Sequence, residues 1–414
     1  MMRPMKLAGS ELMFGEGCLE YIKTIKVEKV SIVVGGKSME RSGMLAKVEG
    51  YFHEAGAETM VISGVEPDPS FETVMRGAQE MLGFGPDLIV GLGGGSAMDA
   101  AKAMWIFYEH PELKTMESVL PPNEFPKLRE KARLCCIPST SGTASEVSRS
   151  IVISDNETGL KHGLGNMEMM PDIAICDPEV TVSMPAKITA ETGMDALTHA
   201  LEALVSNRAN YVSDILATQA AIDIIENLPK ACADGTDMKA REIMLQASMV
   251  AGMAFTNVSL GIVHSMAHTL GGVFHISHGL ADAILLPYVI RYNEADERAK
   301  KVYDTFAEKI GAENLYTAVE GLNRTLHIPS CLKEVIADEA VFTEKLDEMA
   351  ALAKADGCTK TNPVIPEVEE FKDAELVRTQ RAHAVVRAAL GVALDQVVHG
   401  GAAVEHQFQL GFQR

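Results

Sequence analysis

Through the first half of the chain, short apolar runs alternate with amphipathic stretches. Val30 to Val34 is a compact β-branched run ended by Gly35 and Gly36. A helical stretch follows from about Ser42 to Ala55, then a short apolar run from Thr59 to Ile62. A second helix, about Phe71 to Leu82, leads to Asp87-Leu88-Ile89-Val90 and a glycine cluster. Another helix spans Ala97 to about Tyr108, and Ala132 to Ile137 is the next strand. Strands alternating with helices predict a parallel sheet with helices on both faces.

The pattern changes near Pro185. From Ile188 to about Leu228, Ala, Leu, Ile and Glu recur at helical spacing with no strand-like run. Arg241 to Phe255 and Leu260 to Leu270 are further apolar helices, and the region from Asn293 to Lys354 continues in this way. The chain therefore divides into an α/β domain over residues 1–184 and an all-α domain over 185–414. The tail from about Arg378, rich in Ala, Val, His and Gln, is atypical of both.

Composition narrows the class. With 414 residues, 47% of them hydrophobic, the chain can build a sizeable core. A formal charge of −20 argues against nucleic acid and anionic membrane surfaces as partners, since both would repel it. The seven cysteines are an odd number without a C-x-x-C pair, which suits free thiols in a reducing compartment. No leader-like start and no apolar run of about eighteen residues occurs, so a soluble, cytoplasmic protein is expected.

Two turns carry candidate cofactor chemistry. Gly91-Leu92-Gly93-Gly94-Gly95-Ser96 follows a strand and opens a helix. Without side chains the backbone can approach a pyrophosphate, whose charge the helix start favours. Ser96 breaks strict Rossmann spacing, and no Gly-Lys-Ser/Thr of a P-loop follows. A tight strand-to-helix turn is the alternative. The second turn, Pro138-Ser139-Thr140-Ser141-Gly142-Thr143-Ala144-Ser145, offers hydroxyls that serve either as helix caps or as donors to phosphate and ribose. Two such turns at strand ends of one sheet are what a dinucleotide crevice requires.

The helical half carries a metal-like constellation. Asp195 and His199 stand four apart, on one face of one helix. His264 and His268 repeat that spacing, and His275 and His278 follow a Gly271-Gly272 break. A lone histidine in an apolar helix is usually a core residue. Here five of twelve histidines lie between His199 and His278, in stretches where unpaired polar groups are costly. One carboxylate with neutral imidazoles suits Fe(II) or Zn(II).

Together these residues resemble the iron-containing (group III) alcohol dehydrogenases, over roughly residues 12 to 370. Phe14-Gly15-Glu16-Gly17 is similar to the family's opening turn, and Gly93 to Lys102 to its dinucleotide signature. Ser139 to Glu146 matches the second nucleotide loop, Gly261 to Asn293 the metal-site signature, and Asn362-Pro363 a late motif. The stretch Met104 to Pro111 resembles the alcohol dehydrogenase half of bifunctional aldehyde-alcohol dehydrogenases.

The resemblance implies an N-terminal dinucleotide-binding domain, an all-α C-terminal domain and a site in the cleft between them. Its metal ligands would be Asp195, His199, His264 and His278, holding Fe(II) or, alternatively, Zn(II). Gly94, Gly95 and Ser96 would take the pyrophosphate, with Asp99, Ser139, Thr140, Thr143 and Lys161 around the rest of the cofactor. His268 would line the site near the nicotinamide, as a proton relay or as a packing residue. His275 stands at a variable position. The implied reaction is hydride transfer between NAD(P)(H) and a small primary alcohol or aldehyde, in a homodimer or larger homo-oligomer.

Three features depart from the family pattern. Many NAD-using members carry Asp after the first strand, where a carboxylate binds the ribose 2′-hydroxyl and repels a 2′-phosphate. Here Gly36 occupies that turn, followed by Lys37 and Arg41, so NADP is expected to be accepted beside NAD. Asp68 stands where the family commonly has Asn, and the tail is unlike the family's C-terminus. Two other readings stay open: a metal- and NAD-dependent lyase resembling dehydroquinate synthase, which would need a basic pocket, and a catalytically silent relative.

Overall fold

The computed structural model describes residues 4–120, 122–154 and 161–375, and over the first half the alternation closes into one six-stranded parallel sheet. Its elements are β1 (Glu11–Phe14), β2 (Lys29–Gly35), α1 (Ser38–Arg41), α2 (Met44–Glu54), β3 (Glu58–Val65), α3 (Phe71–Phe84), β4 (Leu88–Gly93), α4 (Gly95–Glu109), β5 (Arg133–Pro138) and, after a hairpin, β8 (Ile173–Cys176). The hairpin pairs β6 (Ser150–Ser154) antiparallel with β7 (Lys161–Gly165). Strand order is β1-β8-β5-β4-β2-β3. The chain leaves β2 in one direction to form β3 and returns on its other side to form β4. The crevice beyond the carboxyl ends of β2 and β4 is thus a topological switch point, the usual ligand position in such sheets.

Both faces are covered. Ile89 on β4 and Val33 on β2 pack under α4, against Trp105 and Met104. Their neighbours Leu88, Val90, Leu92, Ile32 and Val34 face the opposite layer, against Leu19, Val48 and Phe52. This is period-two alternation between two buried faces, which explains why the strands look like continuous apolar runs. The edge pair β1–β8 was not foreseen. Each strand is only four residues long, and β8 is fully buried, without alternation to announce it.

Beyond the sheet the chain is helical: α5 (Ala186–Val205), α6 (Tyr211–Ala233), α7 (Met238–Val258), α8 (Ile262–Phe274), α9 (His278–Asn293), α10 (Glu297–Lys309), α11 (Leu315–Thr325), α12 (Glu339–Ala355) and α13 (Val368–Glu375). The periodic stretch from Ile188 to Leu228 is two helices. Asn210 Oδ1 accepts from Val212 N and Ser213 N, and Ser213 Oγ accepts from Asn210 N at 2.8 Å, a capping box that starts α6. Among the described residues no single helix is long and apolar enough to cross a membrane. The atypical tail lies outside the described residues.

Candidate metal centre and cofactor cleft

Three helices bring the metal candidates to one point. Asp195 and His199 project from α5, His264 from the first turn of α8, and His278 is the first residue of α9. Asp195 Oδ1 lies 3.5 Å from His199 Nε2, 3.7 Å from His264 Nε2 and 3.9 Å from His278 Nε2. These separations are those of donor atoms around one ion with metal–ligand bonds of about 2.0–2.2 Å.

The polar atoms involved are otherwise wasted. Asp195 Oδ1 and His264 Nε2 are buried without a hydrogen-bond partner, in a protein interior where such atoms are rare. Burial pushes the Asp195 carboxyl up, but the three imidazoles outweigh it and hold it below the usual carboxylate range. Burial also pushes the His199 imidazole down to about 4, against the attraction of Asp195, so it stays neutral and able to ligate. A carboxylate oxygen with three imidazole nitrogens is a donor set that fits a divalent transition ion. Asp195, His199 and His264 are almost fully buried; the side chain of His278 is 38% exposed and marks the open side.

Three carboxylates that sequence reasoning missed surround this cluster. Glu202, one turn beyond His199 on α5, accepts from His264 Nδ1 at 2.6 Å, from Gly261 N at 2.9 Å and from Val263 N at 2.8 Å. It therefore orients His264 and satisfies the start of α8 together. Asp282, one turn beyond His278 on α9, places Oδ2 3.4 Å from His278 Nε2. Its spacing repeats that of Asp195 and His199, a signal available in the sequence. Asp356 Oδ2 lies 2.8 Å from His268 Nδ1. Nothing local marks it, since 88 residues separate the two. The His268 ring stacks on that of His278 with centroids 5.4 Å apart, so His268 borders the cluster. His275, the exposed C-cap of α8 in a left-handed conformation, stands apart from it.

The cofactor candidates gather at the switch point. Gly94 caps α4, and Gly95 and Ser96 form its first turn. The turn after β5 faces it closely: a Cβ on Gly95 would lie 2.7 Å from Thr143 Cγ2, and one on Gly94 3.3 Å from Thr140 Cγ2. A side chain at Gly95 would force Thr143 to shift, and one at Gly94 would fit tightly against Thr140. Thr140 Oγ1 is buried without a partner, a donor of the kind a bound cofactor would use. Ser139 N donates to Gly93 O at 2.8 Å and ties the two turns together. Gly36 follows β2 in the left-handed region, at the neighbouring strand end.

Two further candidates lie on α4 and β7. Asp99 accepts from Ser145 Oγ at 2.7 Å and from Val152 N at 3.0 Å, so both its oxygens bond to the chain and fix β6 against α4. Lys161 opens β7, and its side chain lies outside the described residues. Asp68 adopts φ 54°, a region where Asn and Asp are the least strained of the non-glycine residues, so the exchange of one for the other suits the turn. Asn362 latches the helical half: its Nδ2 donates to Asn293 Oδ1 at 2.7 Å and its Oδ1 accepts from Ile262 N.

The two halves of the site are linked directly. Ser248 Oγ on α7 donates to Gly142 O at 3.0 Å. A Cβ on Gly142 would sit 2.8 Å from Thr192 Cβ, one turn before Asp195 on α5. The cofactor turn after β5 thus packs on the helix that carries half the metal candidates.

Residues 9–178 match the family model for iron-containing alcohol dehydrogenase, and residues 189–374 that for the Fe-containing alcohol dehydrogenase family, C-terminal. The chain is 47% identical over 371 residues to the NADPH-dependent butanol dehydrogenase of Clostridium saccharobutylicum, covering 87% of this chain and 94% of that protein. It is 38% identical to the bifunctional aldehyde-alcohol dehydrogenase of Escherichia coli, covering 83% of this chain but only 42% of that longer protein. Among solved structures, the iron-containing alcohol dehydrogenase of Thermococcus thioreducens matches with a TM-score of 0.84 at 35% identity, over 91% of this chain and 99% of the other. A 1,3-propanediol oxidoreductase matches with the same TM-score at 32% identity, over 91% of this chain and 100% of the other. The chain belongs to the iron-containing alcohol dehydrogenase family.

Proposed function

We propose that this chain is a cytoplasmic, homo-oligomeric enzyme that moves a hydride between NADP(H) or NAD(H) and a short primary alcohol or aldehyde. The observation that carries the reading is the convergence of Asp195, His199, His264 and His278 on one point beside the glycine turns of β4 and β5. Those four residues would hold the ion, which supplies a Lewis acid for the substrate oxygen. Gly94, Gly95, Ser96, Ser139, Thr140 and Thr143 seat the dinucleotide, with Gly36 and Lys161 toward its adenosine side. The packing of Gly142 on α5 fixes the turn after β5 against the helix that carries Asp195 and His199, and would keep a bound cofactor and substrate in a constant relation, which is where orientation contributes to rate. His268, oriented by Asp356, passes the alcohol proton toward solvent on the open side.

Butanal and similar aldehydes are the proposed substrates, by likeness to the butanol dehydrogenase. A lyase acting on a phosphorylated acid needs basic side chains at the site. Among the described residues, acidic side chains, Glu202, Asp282 and Asp356, contact the histidine cluster instead. The test is anaerobic turnover of butanal with NADPH and with NADH, using metal-stripped protein restored with Fe(II) or Zn(II). Metal-dependent oxidation of either cofactor supports the reading. Folded, metal-loaded protein that oxidises neither with a panel of aldehydes refutes it.

A further inference from the structure

A groove of about 270 Å3 runs between the start of α6 and the outer face of α10, with Leu204 of α5 at its base. None of the metal or cofactor candidates lines it. Leu204 and Phe306, both buried, and the half-buried Val302 give it an apolar floor. Its α10 wall carries Arg298, Lys301, Thr305 and Lys309, spaced three or four apart and therefore on one face. Arg298 is already engaged: it donates to Val205 O and Ser206 O at the end of α5, and its charge meets Asp214 on the α6 wall. Lys301 and Lys309 are free. Among the described residues neither makes a hydrogen bond or an ion pair, whereas Lys300, beside Lys301, pairs with Asp304 at 2.7 Å. In a chain with 57 acidic residues against 37 basic ones, two unneutralised ammoniums over one apolar floor stand out.

We propose that this groove binds a small organic anion, one phosphate or carboxylate group on a short apolar body. Lys301 and Lys309 each stand one turn from Thr305, about 6 Å along the helix axis and within reach of their flexible stems. Both ammoniums can therefore close on one anionic group beside the Thr305 hydroxyl, with three donors each. Without an anion between them the same approach is repulsive. The apolar body rests on Val302, Phe306 and Leu204 and gains by leaving water. Beside the groove α6 extends the apolar surface, since Tyr211, three residues before Asp214, and Ile215 are 81% and 53% exposed. The volume lies just below the range of about 300–1,000 Å3 typical of drug-sized sites, which suits a small molecule and not a folded partner.

The test is calorimetric titration of the full chain with hexyl phosphate, hexanoate, hexanol and inorganic phosphate, in saturating NADP so that the cofactor turns are not the sink. The same titrations are run on the double variant Lys301→Gln/Lys309→Gln, whose melting temperature confirms that it folds. Both substitutions lie on the exposed face of α10 and leave the latch of Arg298 on α5 intact. The expected result is saturable binding of hexyl phosphate or hexanoate at one site, weakened about tenfold or more in the double variant, a change of roughly 1.4 kcal/mol. Hexanol, which lacks the charge, and inorganic phosphate, which lacks the apolar body, should each bind at least about tenfold more weakly than the better anion. Wild-type affinity in the folded double variant would overturn the site, as would the absence of saturable binding at tens of millimolar. Inorganic phosphate or hexanol binding as tightly as either anion would overturn the assigned ligand class.

Discussion

The Nδ1 of His264 and Oε2 of Glu202 are 2.6 Å apart in a fully buried setting, and this contact decides which nitrogen of His264 faces the other metal candidates. With Nδ1 donating to Glu202, Nε2 is left to point at Asp195. Carboxylates in this position fix ring orientation and raise ligand basicity. Glu202→Gln keeps the shape but weakens both effects, and metal affinity should fall by about tenfold to a hundredfold. Glu202→Ala should do more. It strands the amides of Gly261 and Val263, each at about 1–3 kcal/mol. Chelator competition and thermal unfolding of the metal-free protein read the two effects separately. A Glu202→Ala protein as stable and as tightly metallated as the wild type would show that the contact is incidental.

Metal removal should lower the melting temperature, because the ion binds the folded chain and not the dispersed ligands of the unfolded one. At an ion concentration of about a hundred times Kd the linkage is worth about 2.7 kcal/mol. The metal-free protein should also lose stability in acid. Burial holds His199 down to about 4, below the value of about 6.5 it regains on unfolding. As pH falls between those values the unfolded chain takes a proton that the folded chain refuses, and stability drops through that window. Metallated protein competes with the same protons, so its affinity should fall in the same direction. Melting curves with and without Fe(II) from pH 7.5 to 5 test this; a gap between them that widened in acid would contradict it.

Much of this site was legible before the fold was known, and the part that was not has physical reasons. Asp195 and His199 advertise themselves because the helical repeat stacks residues four apart. Glycine and hydroxyl turns after β4 and β5 stand out because close backbone approach excludes side chains. Glu202 sits in the apolar run Ala200-Leu201-Glu202-Ala203-Leu204, where its pairing with a residue 62 positions away has no local trace. Asp356 is hidden for the same reason. The strands β1 and β8 were passed over because four-residue strands lack the length that periodicity needs. Asp99 lies in the glycine motif, and its bonds to Ser145 and Val152, 46 and 53 positions away, have no local trace either.

Cofactor choice should respond to one residue. Gly36 follows β2 with φ 53° and has open space where a Cβ would go. Asp tolerates the left-handed region better than most side chains, so Gly36→Asp should fold at a cost of about 1 kcal/mol. Its carboxylate would repel a 2′-phosphate and accept from a 2′-hydroxyl. The KM for NADPH should rise by about tenfold or more, a change of roughly 1.4 kcal/mol, while that for NADH falls or stays. Steady-state kinetics with both cofactors checks it, and a parallel rise in both KM values would mean that Gly36 shapes the turn without reading the ribose.

The pairing of His268 with Asp356 gives the proton path a test of its own. Burial pushes the Asp356 carboxyl up, but the hydrogen bond and charge of His268, with the amide of Cys358 at 2.7 Å, win and hold it at about 2. A carboxyl depressed in the folded state adds stability that is complete above its unfolded value of about 3.9. That stability is lost as pH falls toward 2. Asp356→Asn should therefore melt below the wild type at pH 7, with a difference that shrinks once pH drops under about 4. Activity separates this structural share from a catalytic one. His268→Ala should lower kcat by about a hundredfold if the imidazole carries the proton, and it should remove one limb of the pH profile. Asp356→Asn should move that limb rather than remove it, since the ring remains but loses the carboxylate that orients it. If both variants keep the wild-type pH profile of kcat and differ only in melting temperature, His268 is a packing residue and the proton leaves by another route.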